Sequence, residues 1–340
     1  MKPTDFSKKL SDYLCLYLPN ERGFSRNTIC SYRDTFMLFI NYMKNIKGIC
    51  AEKLTLFVIT QELIISFLCW LQKERKCSDS TRNARLAAIH SFFRYLQYRS
   101  PNNIEEWQKI LSIPMKRMET PLINYLSLDG IKLLLAQPRK DNAKGCRDLA
   151  LISLIYDSGA RVQELIDLTP SAFNFTKPYT IRLYGKGNKG RIVPLMDAEV
   201  DILKEYMNTR HLLESYACNY ILFDNGRGDK LTRMAVNKIL AKYARLAKKV
   251  NNSLIPERVT PHVLRHSKAM HLLQAGVNLV YIRDFLGHTS ITTTEVYARA
   301  DGKLKREALE KAYVETVEKN KNGQPSWMID SDLLEWLKSL

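Results

Sequence analysis

Apolar residues recur three and four positions apart through the first third of this chain, and that period predicts helix after helix. Candidate helices cover about 5–18, 25–46, 60–74 and 79–98, with a short one near 103–112. In the second, Ile29, Tyr32, Phe36, Phe39, Ile40 and Met43 form one stripe behind Ser25, the expected N-cap. In the fourth, Leu86, Ile89, Phe92, Phe93 and Leu96 make the buried face. Residues 113–125, with two prolines among polar residues, read as a linker. Beyond it the pattern changes. Ser127 is expected to cap a helix to about Gln137, and residues 143–157 form another, in which Leu149, Ile152, Leu154, Ile155 and Tyr156 are too apolar to be anything but buried. Residues 179–184 and 191–195 are β-like on either side of a glycine-rich hairpin loop, and 221–223 is expected to add a third strand. Helices follow at about 197–215 and 231–250. The expected class is mainly α with a small antiparallel β-sheet. The expected domains are 1–112, all helical, then 113–125 as linker, 126–320 as an α+β domain and 321–340 as a C-terminal tail helix.

Three short helices are expected near the C-terminus. Thr260 caps the first, Pro261 suits its first position and Gly276 ends it. His262 and Arg265, three apart, share one face of it. A second helix runs from about Asn278 to Gly287. A third starts around Thr289–Thr292, with Glu295 placed to close a capping box on Thr292, and carries Tyr297. A charged helix is expected at about 303–318. After a break at 321–325, the segment Trp327 to Leu340 is too short to stand alone and should dock on its own domain or on a neighbouring protomer.

Charge sharpens this picture. The net charge is +17, and residues 1–120 hold 19 Lys and Arg against 11 Asp and Glu, the remainder 33 against 24. Both halves are therefore basic, which favours a polyanion touching both domains, most simply double-stranded DNA gripped between them. Arg82, Asn83 and Arg85 crowd the start of the fourth helix, and Lys189 and Arg191 flank the hairpin; these five are the candidate DNA contacts, against the plainer reading of a solvated surface. Seven cysteines without a CxxC spacing read as reduced core thiols in a cytoplasmic protein, with neither zinc site nor disulfide framework. No signal-peptide pattern opens the chain, and the most apolar run, Leu63 to Leu71, is too short to span a bilayer, so no membrane partner is expected.

The residues that carry chemistry come in a fixed order. Arg161 sits in Gly-Ala-Arg-x-x-Glu-Leu, near the start of a short helix, with Glu164 one turn on to orient it. Lys186 sits in Gly-Lys-Gly-Asn-Lys. This loop is not a P-loop, because a strand follows it where a P-loop needs a helix. His262-x-x-Arg265, Leu286-Gly287-His288 and Tyr297 complete the set. His262 and His266, four apart, form a conceivable metal pair, but Val263 stands where a zinc protease has Glu and no third ligand is evident.

This ordered set, behind a basic helical domain, resembles the tyrosine recombinases of the phage integrase family, among them the two-domain Xer-like and transposon-borne members. The likeness covers about residues 5–318 and six matching positions. It implies a SAM-like core-binding domain ahead of the catalytic domain. It also implies a nucleophile, Tyr297, that attacks a DNA phosphodiester to leave a 3′-phosphotyrosine and a free 5′-hydroxyl. In that scheme Arg161 and Arg265 grip the non-bridging oxygens, His262 is the general base, Lys186 the acid and His288 a hydrogen-bond partner of the phosphate, while His266 looks structural. No metal or cofactor is expected, because two guanidiniums supply the charge that magnesium supplies elsewhere. The expected partners are inverted-repeat core sites on double-stranded DNA, a homotetramer working through a Holliday junction, and a partner recombinase or accessory protein. The alternatives are a topoisomerase-like or telomere-resolving enzyme of the same chemistry, and a sequence-specific DNA-binding protein without catalysis.

Overall fold

A computed structural model describes residues 3–118, 123–185, 187, 189–288 and 290–300. Lys186, the expected helix at 303–318 and the tail helix at 321–340 lie outside the described residues. The chain divides into two compact units, residues 1–121 and 122–340.

The first unit is helical. Helix α1 is Asp5–Asp12, α2 Arg26–Lys47, α3 Gln61–Lys73, α4 Asp79–Arg99 and α5 Ile104–Leu111. Ser25, Thr60 and Ser78 cap α2, α3 and α4 through their hydroxyls, so the caps follow local sequence chemistry. The expected helix at 5–18 does not stay α-helical. It widens to a π-helix over Tyr13–Glu21, around Pro19, which has no N–H to give and whose ring crowds the preceding turn. Phe36, Phe39 and Met43 of the expected α2 stripe are buried, as are all five expected residues of α4. Phe92 is central, with the rings of Phe36 and Tyr13 at 5.1 and 5.2 Å. Burying one such ring contributes about 1.5–3 kcal/mol, and Phe92→Ala would cost about 3–5 kcal/mol.

The second unit holds α6 Leu128–Leu135, α7 Ala143–Ser158 and α8 Val162–Ile166, then a three-stranded antiparallel sheet of β1 Phe173–Asn174, β2 Thr180–Tyr184 and β3 Gly190–Pro194. It continues with α9 Asp197–Thr209, α10 Arg233–Val250, α11 Pro261–Gln274, α12 Leu279–Leu286 and α13 Thr292–Ala300. Helix α7 is wrapped by the rest, with Leu149, Ile152, Leu154 and Ile155 buried as expected, while Tyr156 is only half-buried. Residues 221–223 do not form the third strand. Leu222 and Phe223 are apolar because they are buried, Phe223 lying flat on Tyr206, while β1 pairs with β2 through Phe173 and Ile181. Thr292 is already inside α13, so it is not the cap of a box closed by Glu295; the Glu295 N–H bonds the Ile291 carbonyl instead. All seven cysteines are free, but only Cys146 is buried, and Cys15, Cys50, Cys69 and Cys218 are exposed, so most are not core thiols. Among the described residues, no helix is long and apolar enough to cross a membrane.

Candidate active site

The C-terminal end of α12 organises the site. Gly287 ends this helix with φ of 65°, a left-handed conformation that glycine adopts freely. The last carbonyls of a helix have no intrahelical donor and carry the negative end of its dipole. Three successive carbonyls there each accept from a different arginine. Arg191 of β3 donates through Nε to Phe285 at 2.9 Å, Arg265 of α11 through Nη2 to Leu286, and Arg161 through Nη2 to Gly287 at 2.9 Å. The other Nη of Arg265 reaches the Gly159 carbonyl. Gly159, at φ of 56°, ends α7 and lets that backbone lie against α12, where a Cβ would meet Leu286 and Phe285 side chains at 3.0 Å.

A buried carboxylate offsets the repulsion among these cations. Glu164 of α8 accepts the Arg161 backbone N–H at 2.9 Å and Arg161 Nη1 at 2.9 Å. It also accepts both Nη groups of Arg191, at 2.9 and 2.7 Å. Burial pushes the Glu164 pKa up, but Arg191 first and Arg161 after it hold it below the usual carboxylate range. Arg265 is 3% exposed, and burial, followed by Arg161 and Arg191, brings its pKa down to about 9, so it stays charged at neutral pH.

Tyr297, on α13, is 2% exposed, and its hydroxyl lies 2.8 Å from Nδ1 of His266 on α11. The His288 ring stacks on it at 6.4 Å. Burial raises the Tyr297 pKa against the lowering pull of Arg265. His266 has its pKa lowered by burial, then by His262 and Arg265. A neutral His266 with Nδ1 unprotonated accepts the Tyr297 O–H. His262, the expected base, is exposed and lies 6.2 Å from the His266 ring. Burial and the same arginines push the His288 pKa down to about 4. Its Nδ1 is 3.0 Å from Oγ1 of the buried Thr294, so as a neutral ring it keeps Nε2 for another partner. Beside this cluster is a cleft of about 490 Å³ lined by Arg161, Lys189, Arg191, Arg283, Asp284 and His288, with backbone of Gly185, Gly190 and Gly287. A cleft with that charge balance suits a phosphodiester.

The structure therefore gathers Arg161, His262, Arg265, His288 and Tyr297 around α11, α12 and α13. It does not leave most of the expected DNA contacts free. Arg82 is buried and donates to the Pro114 carbonyl, and Asn83 clasps the Lys116 backbone from both sides, so these two pin the segment after α5 to α4. Arg85 donates to the Ser31 carbonyl and the Thr35 hydroxyl on α2. Arg191 is 10% exposed, with its guanidinium committed to Glu164 and Phe285. Lys189 is exposed at the cleft, as a DNA contact requires. Sequence reasoning missed His266 as the partner of Tyr297, Thr294 as the partner of His288, and Arg191 as part of the arginine cluster. Only the Glu164 spacing carried a signal, because one helical turn brings it to Arg161.

Residues 124–303 match the phage integrase family, and residues 12–100 match the phage integrase N-terminal SAM-like domain. The chain is 33% identical over 339 residues to a putative integrase/recombinase, y4rC, of Sinorhizobium fredii, covering 100% of this chain and 99% of that protein. It is 32% identical over 288 residues to tyrosine recombinase XerD of Listeria monocytogenes, covering 83% of this chain and 90% of XerD. Among solved structures, the XerH site-specific recombinase bound to a difH substrate in a pre-cleavage complex superposes with a TM-score of 0.65 at 25% identity, covering 86% of this chain and 81% of XerH.

Proposed function

This chain belongs to the phage integrase family and is a tyrosine-type site-specific DNA recombinase, and from that premise we propose that Tyr297 is its nucleophile. Tyr297 attacks a phosphodiester, and the bond energy is kept in a 3′-phosphotyrosine, so the strand is rejoined without an outside energy source. Arg161 and Arg265 offset the charge that gathers on the non-bridging oxygens. His288, neutral, donates to one of them. Lys186 protonates the departing 5′-oxygen. For the proton of Tyr297 there are two candidates. His266 is favoured by its 2.8 Å contact, and His262 is the open alternative on the same helix face. The substrate is double-stranded DNA with inverted-repeat core sites in the cytoplasm. XerH, the recombinase bound to difH, supports that reading of the partner. Strand exchange runs through a Holliday junction in a homotetramer, with an accessory protein or partner recombinase where the site needs one.

The observation that carries this reading is the convergence of Arg161 and Arg265 on neighbouring carbonyls at the C-terminal end of α12, with Tyr297 in contact with His266 and His288 beside them. The test is covalent trapping on nicked suicide duplexes tiled from the DNA flanking the gene. The expected result is an SDS-resistant adduct that maps to Tyr297 and is lost in Tyr297→Phe, with DNA binding retained. An adduct on another residue sinks the assignment.

A further inference from the structure

We propose that Arg191 is a positioning residue: it takes up the charge of Glu164 and so leaves Arg161 free to hold the scissile phosphate. The inference rests on the reading of Arg161 as a phosphate-binding group. Arg161 and Glu164 alone would form a neutral pair. A carboxylate 2.9 Å from the Arg161 guanidinium then competes with a phosphate for that same group. Arg191 changes the balance. It holds Glu164 through two nitrogens, at 2.9 and 2.7 Å, whereas Arg161 offers it one side-chain nitrogen. Its side chain is 10% exposed against 34% for Arg161, so the inner arginine neutralises the inner carboxylate. The three side chains carry a net charge of +1, and the cation left over is the more open of the two arginines.

The fold reserves room for this. Arg191 is anchored independently by the Phe285 carbonyl at 2.9 Å. It passes so close to Gly287 that a Cβ there would meet its Cδ and Nη1 at 3.0 Å. Any side chain at 287 would crowd the Arg191 guanidinium. Arg191 also sits one residue into β3, so the same contact ties the hairpin strand to the arginine cluster.

The test is the single-turnover cleavage rate on a suicide duplex, with DNA affinity and thermal melting measured alongside. Arg191→Met leaves Glu164 competing with the phosphate, and cleavage should fall about 10- to 100-fold at unchanged DNA affinity. The double variant Arg191→Met/Glu164→Gln restores the +1 balance and should recover most of that loss, a strong positive coupling. A purely structural role predicts the opposite, because the double variant has lost more hydrogen bonds than either single one. Additive or deeper loss in the double variant therefore overturns the proposal. If Arg191→Met does not fold, Arg191→Lys decides. It keeps the charge without the fork, and cleavage should stay within about tenfold of the parent. A loss as deep as that of Arg161→Ala overturns the proposal. Arg161→Ala separates the two levels, since parent-like cleavage in that protein would defeat the reading of Arg161 itself, whatever Arg191 does.

Discussion

Two sets of mainly cationic side chains in this protein look alike in sequence and differ in where they converge. Arg82, Asn83 and Arg85 on α4 donate to the backbone of Pro114, Lys116 and Ser31, in two segments of the helical unit. Arg161, Arg191 and Arg265 also donate to backbone, but to three successive carbonyls at one helix end. The first set ties segments together. The second concentrates like charge around one point, tolerates it through Glu164 and the α12 dipole, and opens to a cleft through Arg161. Bonding to a carbonyl is therefore common to both sets, and convergence of charge beside an open cleft belongs to the second alone.

Arg161→Ala is the sharpest way to break the comparison. Cleavage should fall about 10²- to 10³-fold, since one transition-state donor is lost, while a half-open side chain leaves the melting temperature within a few degrees. An unchanged cleavage rate on a trapping substrate would make the second set structural like the first. Arg265→Ala should affect both properties. Its guanidinium is buried and bonds Gly159 and Leu286, so cleavage and thermal stability fall together, the latter by about 1–3 kcal/mol for buried carbonyls left unpaired. Calorimetry showing an unmoved melting transition would contradict that burial.

Arg82→Ala mirrors this from the other side. Denaturant unfolding should report a loss of about 1–3 kcal/mol as Pro114 loses its donor, with cleavage per folded molecule unchanged. A selective loss of DNA affinity without destabilisation would return Arg82 to the DNA contacts. The smallest expected effect is on pH. His266 and His288 have lowered pKa values in the folded protein, His288 at about 4, so they stay neutral there while the unfolded chain takes up protons below about pH 6.5. Their stabilisation is complete above that pH and lost as pH falls toward 4. Melting temperatures from pH 7 to 5 should therefore decline less steeply in His288→Gln than in the parent; identical slopes would rule the contribution out.

Local chemistry decided much of this molecule before any fold formed. The stripes of α2 and α4, the caps Ser25, Ser127 and Thr260, and the glycines that end α7 and α12 are all set by neighbours within a turn or two. The order of Arg161, Lys186, His262, Arg265, His288 and Tyr297 carries the likeness to the family. Other features depend on residues far apart in sequence. Residues 221–223 look like a strand because burial and strand pairing select the same apolar residues. His266 meets Tyr297 across 31 residues and Arg191 meets Glu164 across 27, and no periodicity encodes such a pairing. Composition establishes only that the chain is basic. Whether a given arginine faces a duplex or a backbone carbonyl was settled by packing, because a guanidinium satisfies either, and only the tertiary arrangement brings one of them within reach.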